Sequence, residues 1–170
     1  MQGLLQAVLY ASDKHRDQKR KINGEPYVHH CMRVSQTVDS FSNGNTKLII
    51  VALLHDAIED TTATYHDLKK EFGQEVADMV LSLTNNKTEL AMLGKTEYLK
   101  RKVNKLTDDE LLIKLADRLD NIRDLSDNEW SREYARQTGD IFFGEHMRQD
   151  LNPAHIELLS MIAESIAQYI

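Results

Sequence analysis

Apolar positions recur at the 3.6-residue spacing of a helix along most of the chain. A first amphipathic helix is predicted from Gln2 to about His15, and its apolar stripe consists of Leu4, Leu5, Val8 and Ala11. The polar stretch from Arg16 to about Val28 contains the turn formers Asn23, Gly24 and Pro26, so a loop is predicted there. A second amphipathic helix is expected to follow it.

The segment from Thr46 to Thr61 joins an apolar half to an ionisable half. Its first half is apolar on nearly all sides, which is typical of a central buried helix, and its second half reads HDAIED. The pattern predicts one continuous helix. Charged side chains at the end of a core helix are costly unless they are paired, so a cleft or an ion-pair network is expected at this end.

Shorter helices are predicted in the middle of the chain. Tyr65 to Phe72 is amphipathic, and Gly73 follows it as a left-handed terminator before Val76 to Leu83 resumes the helical pattern. Residues 85–105 are polar, and their pattern favours no particular structure. Ser131 to about Arg148 is predicted to be helical.

The second half of the chain carries clear helix-start signals. Thr107 and Glu110 have the spacing of a capping box, which opens a helix that reads ELLIKLADRLDNIRDL. Asn152 followed by Pro153 pairs an N-cap residue with proline at the first helical position, so a final helix is predicted from there towards Tyr169.

Composition and charge add limits on fold and partners. The chain has 170 residues with only 2 prolines and 7 glycines, which suits one all-α domain over residues 1–170. Its 21 Lys and Arg against 27 Asp and Glu give a formal net charge of -6, whereas a general nucleic-acid binder carries a basic excess. A polyanionic ligand would therefore need a local positive patch.

The sequence favours a cytoplasmic protein with neither nucleic acid nor a membrane as a partner. Its N-terminal residues lack the basic start and cleavage pattern of a signal peptide. The longest apolar run, Leu48 to Leu54, is far short of the roughly 20 residues of a membrane span. The single cysteine, Cys31, cannot form an internal disulfide. The oligomeric state is left open by these patterns.

Side chains that can bind a metal ion or move protons concentrate at His29-His30, at His55-Asp56 with Glu59-Asp60, and at Asp117. Neighbouring helical positions differ by about 100° in direction, so His55 and Asp56 can converge on one ion. Glu59 and Asp60 each lie four residues later and are expected on the same face, where they can orient or deprotonate a water. Mixed imidazole and carboxylate ligands suit a divalent metal such as Mn²⁺.

A purely structural salt-bridge network is the alternative interpretation of this cluster. Chance His-Asp pairs occur, and the chain contains a second one, His66-Asp67. That pair has no apolar run before it and no paired carboxylates after it, so it is expected to be solvated and without a role in the chemistry.

A basic loop, residues 14–21 with the sequence KHRDQKRK, is the candidate anion site. Arg20 can stack its guanidinium on a base or form a forked contact with phosphate. Charge runs are usually solvated surface, and this alternative stays open for the loop. Near Asp117, further positive charge is expected from Lys114, Arg118 and Arg123.

Three motifs, taken in order, resemble the hydrolase domain of the RelA/SpoT alarmone enzymes, and more specifically the stand-alone small alarmone hydrolases of the animal MESH type. HRDQKRKINGEPYVHH is similar to the family's H-x-x-Q-x-R-K…G-x-P-Y-x-x-H, ALLHDAIEDT to its L-H-D-x-x-E-D-T, and IKLADRLDNIRDL to its K-L-A-D-R-L-x-N-x-R. SLTNNK resembles the V-T-x-x-K element. The similarity extends to about Leu125 and implies a single HD-domain helical bundle with no synthetase domain.

The resemblance also implies a role for each matching residue. The implied Mn²⁺ ligands are His30, His55, Asp56 and Asp117. The implied catalytic acidic pair is Glu59 and Asp60. The implied substrate-binding residues are Arg20, Lys21, Lys87 and Asn121. The chain departs from the family where Cys31 replaces the usual proline after the ligand histidine, and where Phe142 replaces a tyrosine and so lacks its hydroxyl.

The activity implied by the resemblance is that of a guanosine-3′,5′-bis(diphosphate) 3′-pyrophosphohydrolase. A metal-bound water would attack the phosphorus on the 3′ oxygen of (p)ppGpp, release pyrophosphate and leave GDP or GTP. An adenosine alarmone or the 2′-phosphate of NADPH is the alternative substrate, because a basic loop alone does not distinguish guanine from adenine. A non-catalytic alarmone-binding module is a further alternative, but it would be expected to have lost part of the metal set.

Overall fold

The computed structural model describes residues 2–170, and within this range it contains helices and one isolated bridge between Lys19 and Pro26, but no strand. The predicted all-α fold is confirmed. None of the helices in these residues has the length and apolar character needed to cross a bilayer. The chain divides into two compact units, of which the first ends at Asn85 and the second begins at Asn86. The single domain over residues 1–170 stays a prediction.

The helices of the first unit are α1 (Gln2–Lys14), α2 (Tyr27–Phe41), α3 (Thr46–Leu54), α4 (Ala57–Asp60), α5 (Tyr65–Phe72) and α6 (Gln74–Leu83). The centre of this unit is α3, which packs against α1, α2 and α6. This position explains why the sequence of α3 is apolar on nearly all sides: its residues face neighbouring helices in several directions.

The single helix predicted from Thr46 to Thr61 is wrong, because the structure breaks it at His55 and Asp56. Helix α3 ends at Leu54, and α4 begins only at Ala57. Asp56 adopts φ -99° and ψ 0°, which lies in the sparsely allowed bridge region where active-site residues are often found. The break therefore places the two residues of greatest chemical interest in a turn instead of on a straight helix face.

The loop between α1 and α2 folds back on itself as a narrow turn. The backbone N–H of Arg20 donates to the carbonyl of Glu25 at 2.8 Å, and Gly24 N–H donates to the carbonyl of Arg20 at 2.9 Å. Gly24 has φ +75°, which explains the glycine at this position of the turn. Pro26 then precedes α2, which starts at Tyr27, earlier than the sequence pattern indicates.

The helices of the second unit are α7 (Lys87–Leu93), α8 (Lys95–Val103), α9 (Asp108–Arg123), α10 (Glu129–Phe142) and α11 (Pro153–Ile166). Here α9 packs against α11, and α10 packs against both α8 and α11. The start signals are confirmed: Thr107 and Glu110 form a capping box, and Asn152 caps α11 with Pro153 at its first turn.

The polar residues 85–105 are the part of this unit that the sequence pattern left unassigned. They form α7 and α8, which are separated at Gly94, whose φ of +76° ends one helix and precedes the next. Two helices end earlier than predicted. Helix α10 ends at Phe142 instead of Arg148, and α11 ends at Ile166.

Candidate metal centre

Three of the predicted metal ligands lie together in the first unit. His30, His55 and Asp56 each offer one ligand atom, and these atoms lie within 4.8 Å of one another. Nε2 of His55 is 3.0 Å from Oδ2 of Asp56, and Nε2 of His30 is 3.8 Å from the same oxygen. Both imidazoles are buried, whereas the Asp56 side chain keeps 18% of its surface exposed. The group therefore combines two nitrogen donors and one oxygen donor beside solvent.

The tautomer of His55 suits a metal ligand. Its Nδ1 lies 2.8 Å from the carbonyl oxygen of Ala52. A carbonyl only accepts, so Nδ1 carries a proton, and in the neutral imidazole this leaves Nε2, the atom beside Asp56, with the lone pair that a metal ion needs. This is how the second nitrogen of a metal-binding histidine is usually fixed. Donor chemistry and orientation in this group therefore fit a divalent metal ion.

The two acidic residues of α4 have different partners. Both carboxylate oxygens of Glu59 accept hydrogen bonds from Asn85, one from its backbone N–H at 2.8 Å and one from its side-chain amide at 2.9 Å. Asp60 is more exposed, and its Oδ2 lies 3.4 Å from the amide nitrogen of Gln18. The expectation that both acids project from one unbroken helix face does not hold, because the helix is interrupted before α4.

Desolvation by the surrounding protein, followed by repulsion from Asp56, raises the pKa of Asp60 above the usual value of an aspartate. Its backbone N–H donates to the Asp56 carbonyl at 2.9 Å, so one helical turn links the two residues. A carboxyl group with a raised pKa exchanges protons closer to neutral pH, as a general acid or base must.

A cavity of about 560 Å³ opens beside Asp60. Its other lining residues are Asp13, Lys14, Arg16, Asp17, Gln18, Thr61 and Thr62. Two basic side chains of the predicted basic loop, Lys14 and Arg16, therefore line the cavity together with three acidic ones, Asp13, Asp17 and Asp60.

The basic loop is not uniformly solvated. Arg20 has only 7% of its surface exposed, and its guanidinium carbon lies 5.6 Å from the centre of the Tyr27 ring. Lys19 and Lys21 are exposed. The loop therefore combines one buried guanidinium, which lies over the Tyr27 ring, with lysines that face solvent, and this differs from a plain charged surface.

Residues 7–144 match the HD domain family, and this is most of the 170-residue chain. The chain belongs to the HD domain family. The predicted membership of a family of His-Asp hydrolases is thereby confirmed.

Relatives of this HD domain protein include alarmone hydrolases. The chain is 38% identical over 138 residues to the Drosophila melanogaster guanosine-3′,5′-bis(diphosphate) 3′-pyrophosphohydrolase MESH1, covering 76% of the chain and 74% of the relative. It is 35% identical over 144 residues to the Aquifex aeolicus guanosine-3′,5′-bis(diphosphate) 3′-pyrophosphohydrolase. The match covers 78% of the chain but only 19% of that longer relative.

A solved structure supports the same grouping. It is described as a metazoan ortholog of SpoT that hydrolyzes ppGpp and plays a role in starvation responses. The HD domain chain is 29% identical to it, with a TM-score of 0.81 over 95% of this chain and 94% of that one. The resemblance to MESH-type hydrolases that the three motifs indicate is confirmed.

The remaining predicted ligand, Asp117, lies in α9 of the second unit and is buried. Lys114 Nζ is 2.9 Å from its Oδ2, and the Asn121 amide nitrogen is 2.5 Å from its Oδ1. Both neighbours hold the carboxylate in one orientation. Lys87, another predicted substrate-binding residue, is exposed at the start of α7.

Arg118, which was expected to add positive charge near Asp117, packs against aromatic side chains. Its guanidinium is buried and lies 4.7 Å from the Tyr134 ring centre and 5.5 Å from that of Phe142. One of its nitrogens also donates to Thr138 at 3.3 Å. The buried Phe142, which lacks a tyrosine hydroxyl, therefore packs beside a cation on the α10 side of α9.

The second His-Asp pair has a structural role that the sequence interpretation missed. His66 is exposed as expected, but the Asp67 carboxylate accepts hydrogen bonds from Thr64 N–H at 2.9 Å and from its hydroxyl at 2.7 Å. These bonds complete the capping box of α5, and they lower the pKa of Asp67. Asp67 is thus a helix-capping residue.

Tyr27, Gln18 and Asn85 contact the candidate site residues, although sequence reasoning assigned them no role. Tyr27 donates from its hydroxyl to Asp56 at 2.6 Å. A signal for Tyr27 was present, because it precedes His30 by three residues and so shares a helix face with it. No comparable spacing pointed to Asn85.

Proposed function

We propose that this HD domain protein is a metal-dependent guanosine-3′,5′-bis(diphosphate) 3′-pyrophosphohydrolase. The observation that carries the proposal is the buried group of His30, His55 and Asp56 in a chain 38% identical to MESH1 of Drosophila. The MESH-type structural relative, described as hydrolyzing ppGpp, supports the same substrate. The substrate is thus a small phosphorylated nucleotide.

The metal ion is proposed to be Mn²⁺, with Asp117 as a fourth ligand beside His30, His55 and Asp56. Few nitrogen donors and two carboxylates favour this ion over zinc. When bound, such an ion lowers the pKa of a water and neutralises charge on the diphosphate. Lys114 and Asn121 support the assignment of Asp117, because they orient its carboxylate.

In the reaction, a bond forms between the water oxygen and the phosphorus attached to the 3′ oxygen, and the bond from that phosphorus to the 3′ oxygen breaks. The 3′ oxygen leaves with a proton, so the products are pyrophosphate and GDP or GTP. Asp60 is the residue that moves the proton, which its raised pKa and exposure support. Glu59 acts beside it by fixing Asn85.

Nucleotide binding is assigned to Arg20, Lys21, Lys87 and Asn121. Arg20 stacks on Tyr27 close to the metal group, and Lys21 follows it on the exposed side of the loop. Planar, delocalised guanidinium groups suit both bases and phosphates. A cytoplasmic location, and the lack of nucleic-acid and membrane partners, stay predictions.

Purified protein supplied with Mn²⁺ is expected to release pyrophosphate from guanosine tetraphosphate and to leave GDP. Products should be separated by ion-exchange chromatography and compared across guanosine tetraphosphate, its adenosine analogue and NADPH. If inorganic phosphate is released from NADPH and no pyrophosphate is released from guanosine tetraphosphate, the substrate is NADPH and the proposed substrate is wrong. Binding of the alarmone without any product would instead show a non-catalytic module.

A further inference from the structure

Tyr27 lies one helical turn before His30 and reaches the metal group with its hydroxyl. Its Oη donates to Oδ2 of Asp56 at 2.6 Å. This is the same carboxylate oxygen that lies 3.0 Å from Nε2 of His55 and 3.8 Å from Nε2 of His30. The tyrosine hydroxyl therefore contacts Oδ2 of Asp56, which is the oxygen closest to both candidate imidazole ligands.

The ring of Tyr27 is held on several sides. His15 stacks on it with ring centres 5.0 Å apart and planes 24° apart, and His30 packs edge-on at 5.3 Å. Arg20 lies over the ring at 5.6 Å. With so many neighbours, the hydroxyl has little freedom to leave Asp56.

His15, which stacks on Tyr27, is held in place by burial and by a hydrogen bond. It is buried, and its Nδ1 lies 2.6 Å from Oε1 of Gln18. An amide oxygen only accepts, so Nδ1 is the donor and the ring orientation is set. The amide nitrogen of the same Gln18 faces Asp60 at 3.4 Å. The residues behind Tyr27 thus form a connected polar network.

We propose that Tyr27 is a positioning residue that orients the Asp56 carboxylate for metal binding. The inference rests on the proposed metal-dependent function. A carboxylate oxygen has two lone pairs, so it can accept from a hydroxyl and still bind an ion. Hydrogen bonds to metal ligands hold them in place, and their loss weakens metal binding. In this proposal Tyr27 acts on the metal through Asp56, to which its hydroxyl donates.

The test measures Mn²⁺ binding to the metal-free wild-type and Tyr27→Phe proteins by calorimetry. Phenylalanine keeps the ring and its packing but removes the hydroxyl. The dissociation constant for Mn²⁺ is expected to rise about 10- to 100-fold. Turnover should fall at limiting Mn²⁺ and recover at saturating Mn²⁺, because the variant weakens metal binding without removing a ligand.

Tyr65→Phe is the matched control. Tyr65 also donates its hydroxyl to an aspartate, Asp78, at 2.7 Å, but this pair joins the start of α5 to α6 at the surface. Its removal should leave the Mn²⁺ dissociation constant unchanged, and both variants should unfold at similar temperatures when metal-free.

Three outcomes separate the inference from the proposed function. Wild-type protein that binds no Mn²⁺ would contradict the proposed metal site itself. Tight binding by wild type and equally tight binding by Tyr27→Phe would overturn the role of Tyr27 and leave the metal site intact. A Tyr27→Phe protein that unfolds without metal, while Tyr65→Phe stays folded, would show that Tyr27 is structural and also overturn the inference.

Discussion

Replacing His55 with alanine is expected to reduce pyrophosphate release from guanosine tetraphosphate by at least about 1,000-fold. A metal ion contributes several kcal/mol to such a reaction, and each 1.36 kcal/mol is about tenfold in rate. His55 is buried beside Asp56, and alanine removes its Nε2, one of the three ligand atoms that lie together in this group. Turnover should be measured with excess Mn²⁺.

His66→Ala is the matched control, since His66 also stands directly before an aspartate. It is exposed on α5 and does not belong to the ligand group, so its loss should leave turnover unchanged. Metal-free unfolding temperatures of both variants show whether the fold survives. Full activity of His55→Ala, or an equal loss in His66→Ala, would contradict the assignment of the metal centre.

Replacing Asp60 with asparagine is expected to lower kcat by about 100- to 10,000-fold, the range that general acid–base groups contribute. Asparagine keeps the size and polarity of the side chain but cannot take up or release a proton. Because Asp60 is not a proposed ligand, the Mn²⁺ dissociation constant and KM should change little. Steady-state kinetics at saturating metal, together with calorimetry, separates these quantities.

Asp13→Asn is the control, because Asp13 lines the same cavity, is exposed and lies outside the basic loop. Its kcat should stay at the wild-type value. Glu59→Gln differs from both variants because it also disturbs the contact with Asn85. Glutamate accepts one hydrogen bond from Asn85 on each carboxylate oxygen, whereas the NH₂ group of glutamine cannot accept one. If Glu59→Gln loses turnover with an unaltered KM while Asp60→Asn stays active, the proton-transfer role belongs to Glu59.

Two helix starts in the second unit could be predicted because their signals are local. The capping box at Thr107 and the Asn152-Pro153 pair act within one turn, so sequence spacing alone identifies them. The break between α3 and α4 has no such signal, because neither proline nor glycine stands at His55 or Asp56. Ala57 and Ile58 continue the apolar positions of α3, so the sequence pattern gives no sign of the break.

The candidate site shows the same division between local and distant contacts. His55 and Asp56 are adjacent in sequence, so their grouping was predicted from the local motif and the resemblance, although the structure places them in a turn between two helices. The bond from Tyr27 to Asp56 joins residues 29 positions apart, and that from Asn85 to Glu59 joins residues 26 apart. No spacing rule reaches that far, since such pairs depend on how helices pack.

Removal of the metal is the decisive test of metal-dependent hydrolysis. Protein stripped with EDTA and freed of chelator should release no pyrophosphate from guanosine tetraphosphate above the uncatalysed background. Added Mn²⁺ should restore turnover in parallel with the metal bound at one site. Hydrolysis at the full rate by protein verified to be metal-free would contradict the account, because His30, His55 and Asp56 would then need another role.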